Sequence, residues 1–88
     1  MPTYRVEIRS SARKELAALP RDVLRRVDAA ILGLAEHPRP AGCKALQGSE
    51  GLLRIRVGDY RVVYRVEDDV LVVLLVKIGH RREIYRRR

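Results

Sequence analysis

Apolar residues recur along this chain with two different periods, and the change of period divides it into elements. YRVEI (Tyr4–Ile8) alternates polar and apolar positions, which predicts a first strand. Beyond it, Ala12, Leu16 and Leu19 fall at helical spacing. Ser10 or Ser11 is placed to cap that helix, since each offers a side-chain oxygen to a free N–H of the first turn. Pro20 ends it. From Arg21 a second helix is predicted, in which Val23, Val27, Ile31 and Leu34 form an apolar stripe and Arg25, Arg26 and Asp28 lie away from it. His37-Pro38 closes this helix, because the residue before a proline avoids the helical region.

Between Pro38 and Gly51 no period is sustained, and two prolines and three glycines predict a loop. Three strands follow: Leu52–Val57, Tyr60–Val66 and Val70–Ile78. The breaks between them, Gly58-Asp59 and Asp68-Asp69, are two-residue hairpin signals. The last strand is apolar at nearly every position, which places it in the middle of a sheet and buried on both faces. The predicted fold class is therefore α+β in the order β-α-α-β-β-β. A mainly antiparallel four-stranded sheet carries a helical hairpin on one face, in a single domain over residues 1–88.

Length agrees with one domain, since 88 residues support one core. With no Phe, no Trp and four Tyr, that core must be aliphatic. Cys43 is the only cysteine, which rules out a disulfide framework and fits a reducing cytoplasm. MPTYRVEIRSS has no apolar signal-peptide core, and the longest apolar run, VLVVLLV (Val70–Val76), is bounded by Asp69 and Lys77. The expectation is a soluble cytoplasmic protein without a membrane partner.

Charge changes the picture more. The net charge is +8, carried by 16 Arg and 3 Lys, and the last nine residues, HRREIYRRR, hold five arginines against one glutamate. Arginine suits bidentate contact with phosphate and stacking on bases. A polyanion, nucleic acid first, is the expected partner class, and an acidic protein competes for the same charge.

The stretch RIRVGDYRVVYR (Arg54–Arg65) gives that charge a place. Glycine at the first loop position favours a type II′ turn, so Val57 pairs with Tyr60, Arg56 faces Arg61, Ile55 faces Val62 and Arg54 faces Val63. Side chains alternate, so Arg54, Arg56 and Arg61 emerge together on one face, left open to solvent or ligand. Like charges directly opposite destabilise a sheet. An ordinary solvated face is one reading; an anion bridging the guanidiniums is the other. In GHRREIYR (Gly79–Arg86), Gly79 frees the chain to turn, and His80, Arg81 and Tyr85 can reach back across the same face. Histidine is the side chain whose unperturbed charge change falls near neutrality, which makes His80 a candidate for proton transfer. No zinc spacing, glycine-rich phosphate loop or nucleophile elbow occurs, and Glu67, Asp68 and Asp69 crowd a turn that they serve. No cofactor or metal is expected.

The segments P-R-P…G-C-K-x-L-x-G, R-I-R-V-G-D-Y-R-V-V-Y and I-G-H-R-x-E-I-Y resemble the RelE/ParE superfamily of bacterial toxins over essentially the whole chain, with the closer likeness to the RelE side. The resemblance implies the toxin of a type II toxin–antitoxin pair. It would be a ribosome-dependent endoribonuclease that cuts mRNA in the A site of the 70S ribosome by metal-independent attack of a ribose 2′-OH on the adjacent phosphate. It implies a separate RelB-like antitoxin, with operator DNA bound only through the complex. The family's basic strand positions fall on Arg54 and Arg56, its following arginines on Arg61 and Arg81, and its terminal tyrosine on Tyr85. Lys44 and Arg82 join Arg54 and Arg56 as RNA-binding candidates. Arg61 and Arg81 are the candidates for charge neutralisation. Where the best-known member has lysines this chain has Arg54 and Arg56, and arginine stays protonated, so proton transfer shifts to His80 and Tyr85. Tyr85 can instead stack on a base. The alternative within the same fold is a ParE-like inhibitor of DNA gyrase that acts by binding.

Overall fold

The apolar stripe of the second helix decides where the two layers of the molecule meet. In the computed structural model, described for residues 3–48 and 51–80, the chain runs β1 (Arg5–Ile8), α1 (Ser10–Ala17), α2 (Arg21–Glu36), β2 (Lys44–Ala45), β3 (Leu52–Val57), β4 (Tyr60–Glu67) and β5 (Val72–His80). Val27, Ile31 and Leu34 of α2 and Ala12 of α1 are buried against Ile55, Val62, Tyr64, Val73, Leu75 and Ile78 of the sheet. Helix α1 lies on β5, and α2 on β1 and β3. No described helix is long and apolar enough to cross a membrane.

Among the described residues the sheet has five strands in the order β1-β5-β4-β3-β2, one more than the pattern predicted. The addition is β2, whose two residues pair Lys44 with Arg54 and Ala45 with Leu53. Both are exposed, so no apolar period marked them. The β3–β4 and β4–β5 pairs are antiparallel, while β1 runs parallel to β5. β5 is interior, as its apolar run required.

Three local expectations give way to longer-range contacts. No serine caps α1: Ser10 is already helical, and the N-cap is Arg9 without a side-chain bond. Arg9 continues the strand by donating its N–H to Leu75 O at 3.0 Å, while its carbonyl accepts from Arg13 N at 2.8 Å. One residue therefore ends β1 and starts the helix. The β4–β5 turn spans Asp68 to Leu71, because Glu67 still pairs with Val72. Its geometry is imposed from outside: Asp68 accepts Arg39 Nη2 at 2.9 Å and the Tyr4 hydroxyl at 2.7 Å. Leu71, at φ 54°, accepts Arg5 N at 2.8 Å. Finally, Gly79 does not turn the chain. It stays in β5 opposite Arg61, and the strand continues through His80.

Candidate nucleic-acid interface

The β3–β4 hairpin has the register that its turn dictates: Val57 with Tyr60, Arg56 with Arg61, Ile55 with Val62 and Arg54 with Val63. Gly58 takes φ 61° and Asp59 has no positive φ, as a type II′ turn requires. A Cβ at Gly58 would lie 2.7 Å from Arg26 Nη2, so a side chain there would displace that guanidinium as well as strain the turn. Alternation along the strands puts Arg54, Arg56 and Arg61 on the face turned away from the helices. Lys44 joins them through its pairing with Arg54. The result is a basic row crossing three strands. The acidic residues in register on this face, Glu7 and Glu67, fall beside Leu74 and Val72 at its other end.

The row is not uniformly open. Arg56 is exposed, but Arg54 and Arg61 are only 9% and 4% exposed, which corrects the expectation that all three are left open to solvent or ligand. Strand pairing explains the difference. Arg54 has neighbours on both sides, Lys44 and Val63, and Arg61 lies between Arg56 and Gly79. Arg56 has a strand on one side only, because β2 ends beside Arg54. Long side chains flanked in this way bury their methylene stems, and at Arg61 the burial extends to the guanidinium Nε. Between β3 and the loop before β2, Ala41, Gly42, Lys44, Arg54 and Arg56 line a concavity of about 320 Å³.

His80 is not part of this face. It pairs with Tyr60 and points with it to the helical side, the two rings meeting edge to face at 5.4 Å and 77°. Glu15, Leu19 and Pro20 of the helical hairpin line the same hollow. The expectation that His80 reaches across the arginine face assumed a turn at Gly79, and the chain makes none there. Arg81, Arg82 and Tyr85 lie outside the described residues.

Two features escaped the sequence pattern. A bulge between Val63 and Tyr64 shifts the β4–β5 register, so Val73, Leu75 and Ile78 all face the core despite unequal spacing. The same shift puts Lys77 opposite Val63, on the basic side, although its ammonium is drawn to Glu15 of α1. A strict alternation could not have found either. The other is the cluster of Asp68, Arg39 and Tyr4. The bonds from Arg39 and Tyr4 hold the Asp68 carboxyl below the usual carboxylate range, and the Asp68 bond raises the Tyr4 hydroxyl. Asp68 thus serves its turn.

A helical pair backing a five-stranded sheet whose open face carries a basic row defines a small α+β protein suited to a polyanionic or acidic partner. Residues 6–85 match the family described as ParE toxin of type II toxin-antitoxin system, parDE. The chain is 33% identical over 85 residues to the Mycobacterium tuberculosis protein named Toxin RelG, covering 96% of this chain and 98% of that one. Its fold is similar to that of the archaeal RelE-RelB complex from Pyrococcus horikoshii OT3, with a TM-score of 0.79, 34% identity and coverage of 90% and 96% of the two chains. It is also similar to the isolated E. coli RelE toxin, with a TM-score of 0.77, 26% identity and coverage of 88% and 83%. The chain belongs to the RelE/ParE superfamily and is a RelE-like toxin of a type II toxin–antitoxin system.

Proposed function

We propose that this toxin is a ribosome-dependent endoribonuclease that cleaves mRNA in the ribosomal A site. The observation that carries the reading is the basic row of Lys44, Arg54, Arg56 and Arg61, gathered on the sheet face that the helices leave uncovered. In the reaction a ribose 2′-OH attacks the adjacent phosphorus and the P–O5′ bond breaks. The products are a 2′,3′-cyclic phosphate and a free 5′-OH. A base takes the 2′ proton and an acid returns one to the leaving oxygen.

Charge builds on the phosphate oxygens along this path, and fixed guanidiniums offset it without reorganising. Arg61 and Arg81 take that role; Arg54, Arg56, Lys44 and Arg82 hold the RNA backbone. Arginine remains protonated and supplies no base. With His80 turned to the helical side, Tyr85 is the remaining candidate for proton transfer on this chain, unless it stacks on a base and positioning by the ribosome is the main contribution.

A cognate RelB-like antitoxin, a separate chain presenting acidic and apolar residues, is the proposed partner. Two solved structures of similar fold are a RelE-RelB complex from Pyrococcus horikoshii OT3 and the toxin-antitoxin complex RelBE2 from Mycobacterium tuberculosis. Operator DNA is reached only through that complex. A second reading, inhibition of DNA gyrase, is favoured by the description of the matching family as a ParE toxin.

One experiment separates the two. The chain is expressed inducibly beside an Arg61→Ala, Arg81→Ala double variant, and mRNA 5′ ends are mapped. Codon-phased cleavage that the double variant loses supports the endoribonuclease. Growth arrest with gyrase-linked DNA breaks and no phased cleavage overturns it, and efficient cutting of free RNA overturns ribosome dependence.

A further inference from the structure

Strand β1 ends at Ile8, opposite Leu75, but β5 runs on to His80. Past that point β5 has, among the described residues, a strand on its β4 side only, and its other edge offers backbone donors that need partners. Glu15 of α1 fills the gap. Its Oε1 accepts the Ile78 N–H at 2.8 Å, and its Oε2 accepts Lys77 Nζ at 2.8 Å. Both bonds are charge-assisted, and the glutamate side chain is 30% exposed, so water competes with them only in part. A helix side chain therefore stands in for the missing strand at this one place.

What it holds matters for the basic face. On their other side, Ile78 and the two residues after it pair with Val62, Arg61 and Tyr60. The Arg61–Gly79 pairing thus lies one residue beyond the Glu15 bond. We infer that Glu15 is a positioning residue for Arg61, the arginine proposed above to neutralise phosphate charge. By holding this stretch of β5 it keeps Gly79 opposite Arg61. The inference rests on the endoribonuclease reading. Loss of the bond returns the Ile78 N–H to water and lets the last pairs of β5 open from their end. Small displacements of positioned groups cost rate steeply, of order 10²-fold for about 1 Å.

The test combines ribosome-programmed mRNA cleavage with amide exchange on the free toxin. Glu15→Ala lowers the cleavage rate at saturating ribosome about 10²-fold and leaves the half-saturating concentration unchanged. Exchange at Ile78, Gly79 and His80 speeds up about 10-fold or more while Val73 stays protected. Glu15→Gln keeps a carbonyl acceptor for Ile78 N–H and Lys77→Met removes only the ion pair, so both cleave within about 3-fold of wild type. Glu15→Asp, one carbon shorter, shows the same loss in milder form, and it decides the matter if Glu15→Ala does not fold. Wild-type rates in the Ala and Asp variants overturn the inference, as does a loss confined to half-saturation or shared equally by the Gln variant. If the wild-type chain itself cleaves no mRNA, the endoribonuclease reading fails and takes the catalytic part of this inference with it, while the exchange pattern still reports on the tether.

Discussion

Arg61 of β4 and Gly79 of β5 are register partners, so the more buried arginine of the basic row has a neighbour without a side chain. Glycine inside a strand weakens it and often marks a place where another group approaches closely. On the proposed reading that group is the scissile phosphate. Gly79→Val introduces a good strand former and should leave the thermal midpoint within about 4 °C of wild type. The same change should lower mRNA cleavage about 10²-fold by crowding Arg61. Undiminished cleavage would show that the space above Gly79 is not used.

Arg56 and Arg61 face each other across the hairpin, and opposed like charges cost roughly 0.2–1 kcal/mol. Arg56→Gln should therefore stabilise the free toxin by that amount in dilute buffer, while mRNA cleavage falls. Screening is short-ranged at 1 M salt, about 3 Å, so the gain should shrink there. Urea titrations at the two salt concentrations provide the check. A gain that ignores salt would have a cause other than charge.

His80 and Arg61 belong to opposite faces and should behave differently. Arg61→Ala should cost about 10²–10³-fold in cleavage rate, the usual effect of removing one preorganised donor. His80→Ala should stay within a few-fold of wild type, with an unchanged pH–rate profile near neutrality. A lost acid limb in the His80 variant would bring that residue back into the chemistry.

The Tyr64 hydroxyl, on a fully buried side chain, donates to the Pro38 carbonyl at 2.7 Å. Burial is the main cause raising its pKa, so it remains a donor throughout the working range. Tyr64→Phe leaves that carbonyl without its partner and should cost about 1–3 kcal/mol in a urea titration at pH 7.

Asp68 titrates below its unfolded range because Arg39 and then Tyr4 bind the carboxylate. A depressed carboxyl stabilises the fold above its unfolded value, near pH 4, and loses that contribution as pH falls through its folded value. Asp68→Asn should accordingly be less stable than wild type at pH 7, with the gap closing as pH falls below about 4. Matched urea titrations across this range measure it; a gap that persists in acid would exclude the linkage.

Much of this architecture can be read from local pattern. The stripe from Val23 to Leu34 specified α2 and its buried side, since helical spacing leaves one set of positions to face a sheet. Gly58-Asp59 specified the hairpin register, because a two-residue turn leaves only one pairing, and that pairing gathers Arg54, Arg56 and Arg61. The resemblance of the motifs to the toxin superfamily was legible for the same reason: the hairpin and its flanks are short-range features.

Other properties depended on segments far apart in the chain. The burial of Arg54 and Arg61 comes from which strands lie beside them, and the exposure of Arg56 from where β2 stops. The position of His80 follows from β5 continuing past Gly79, a choice made by pairing with β4. The Asp68 turn is shaped by Arg39 and Tyr4, and the end of β5 by Glu15, 63 residues before Ile78. Periodicity reports which face a residue takes within its own element. Which neighbour meets that face, and what hydrogen bonds an edge finds, is settled when segments far apart in the chain close into one sheet backed by its helices.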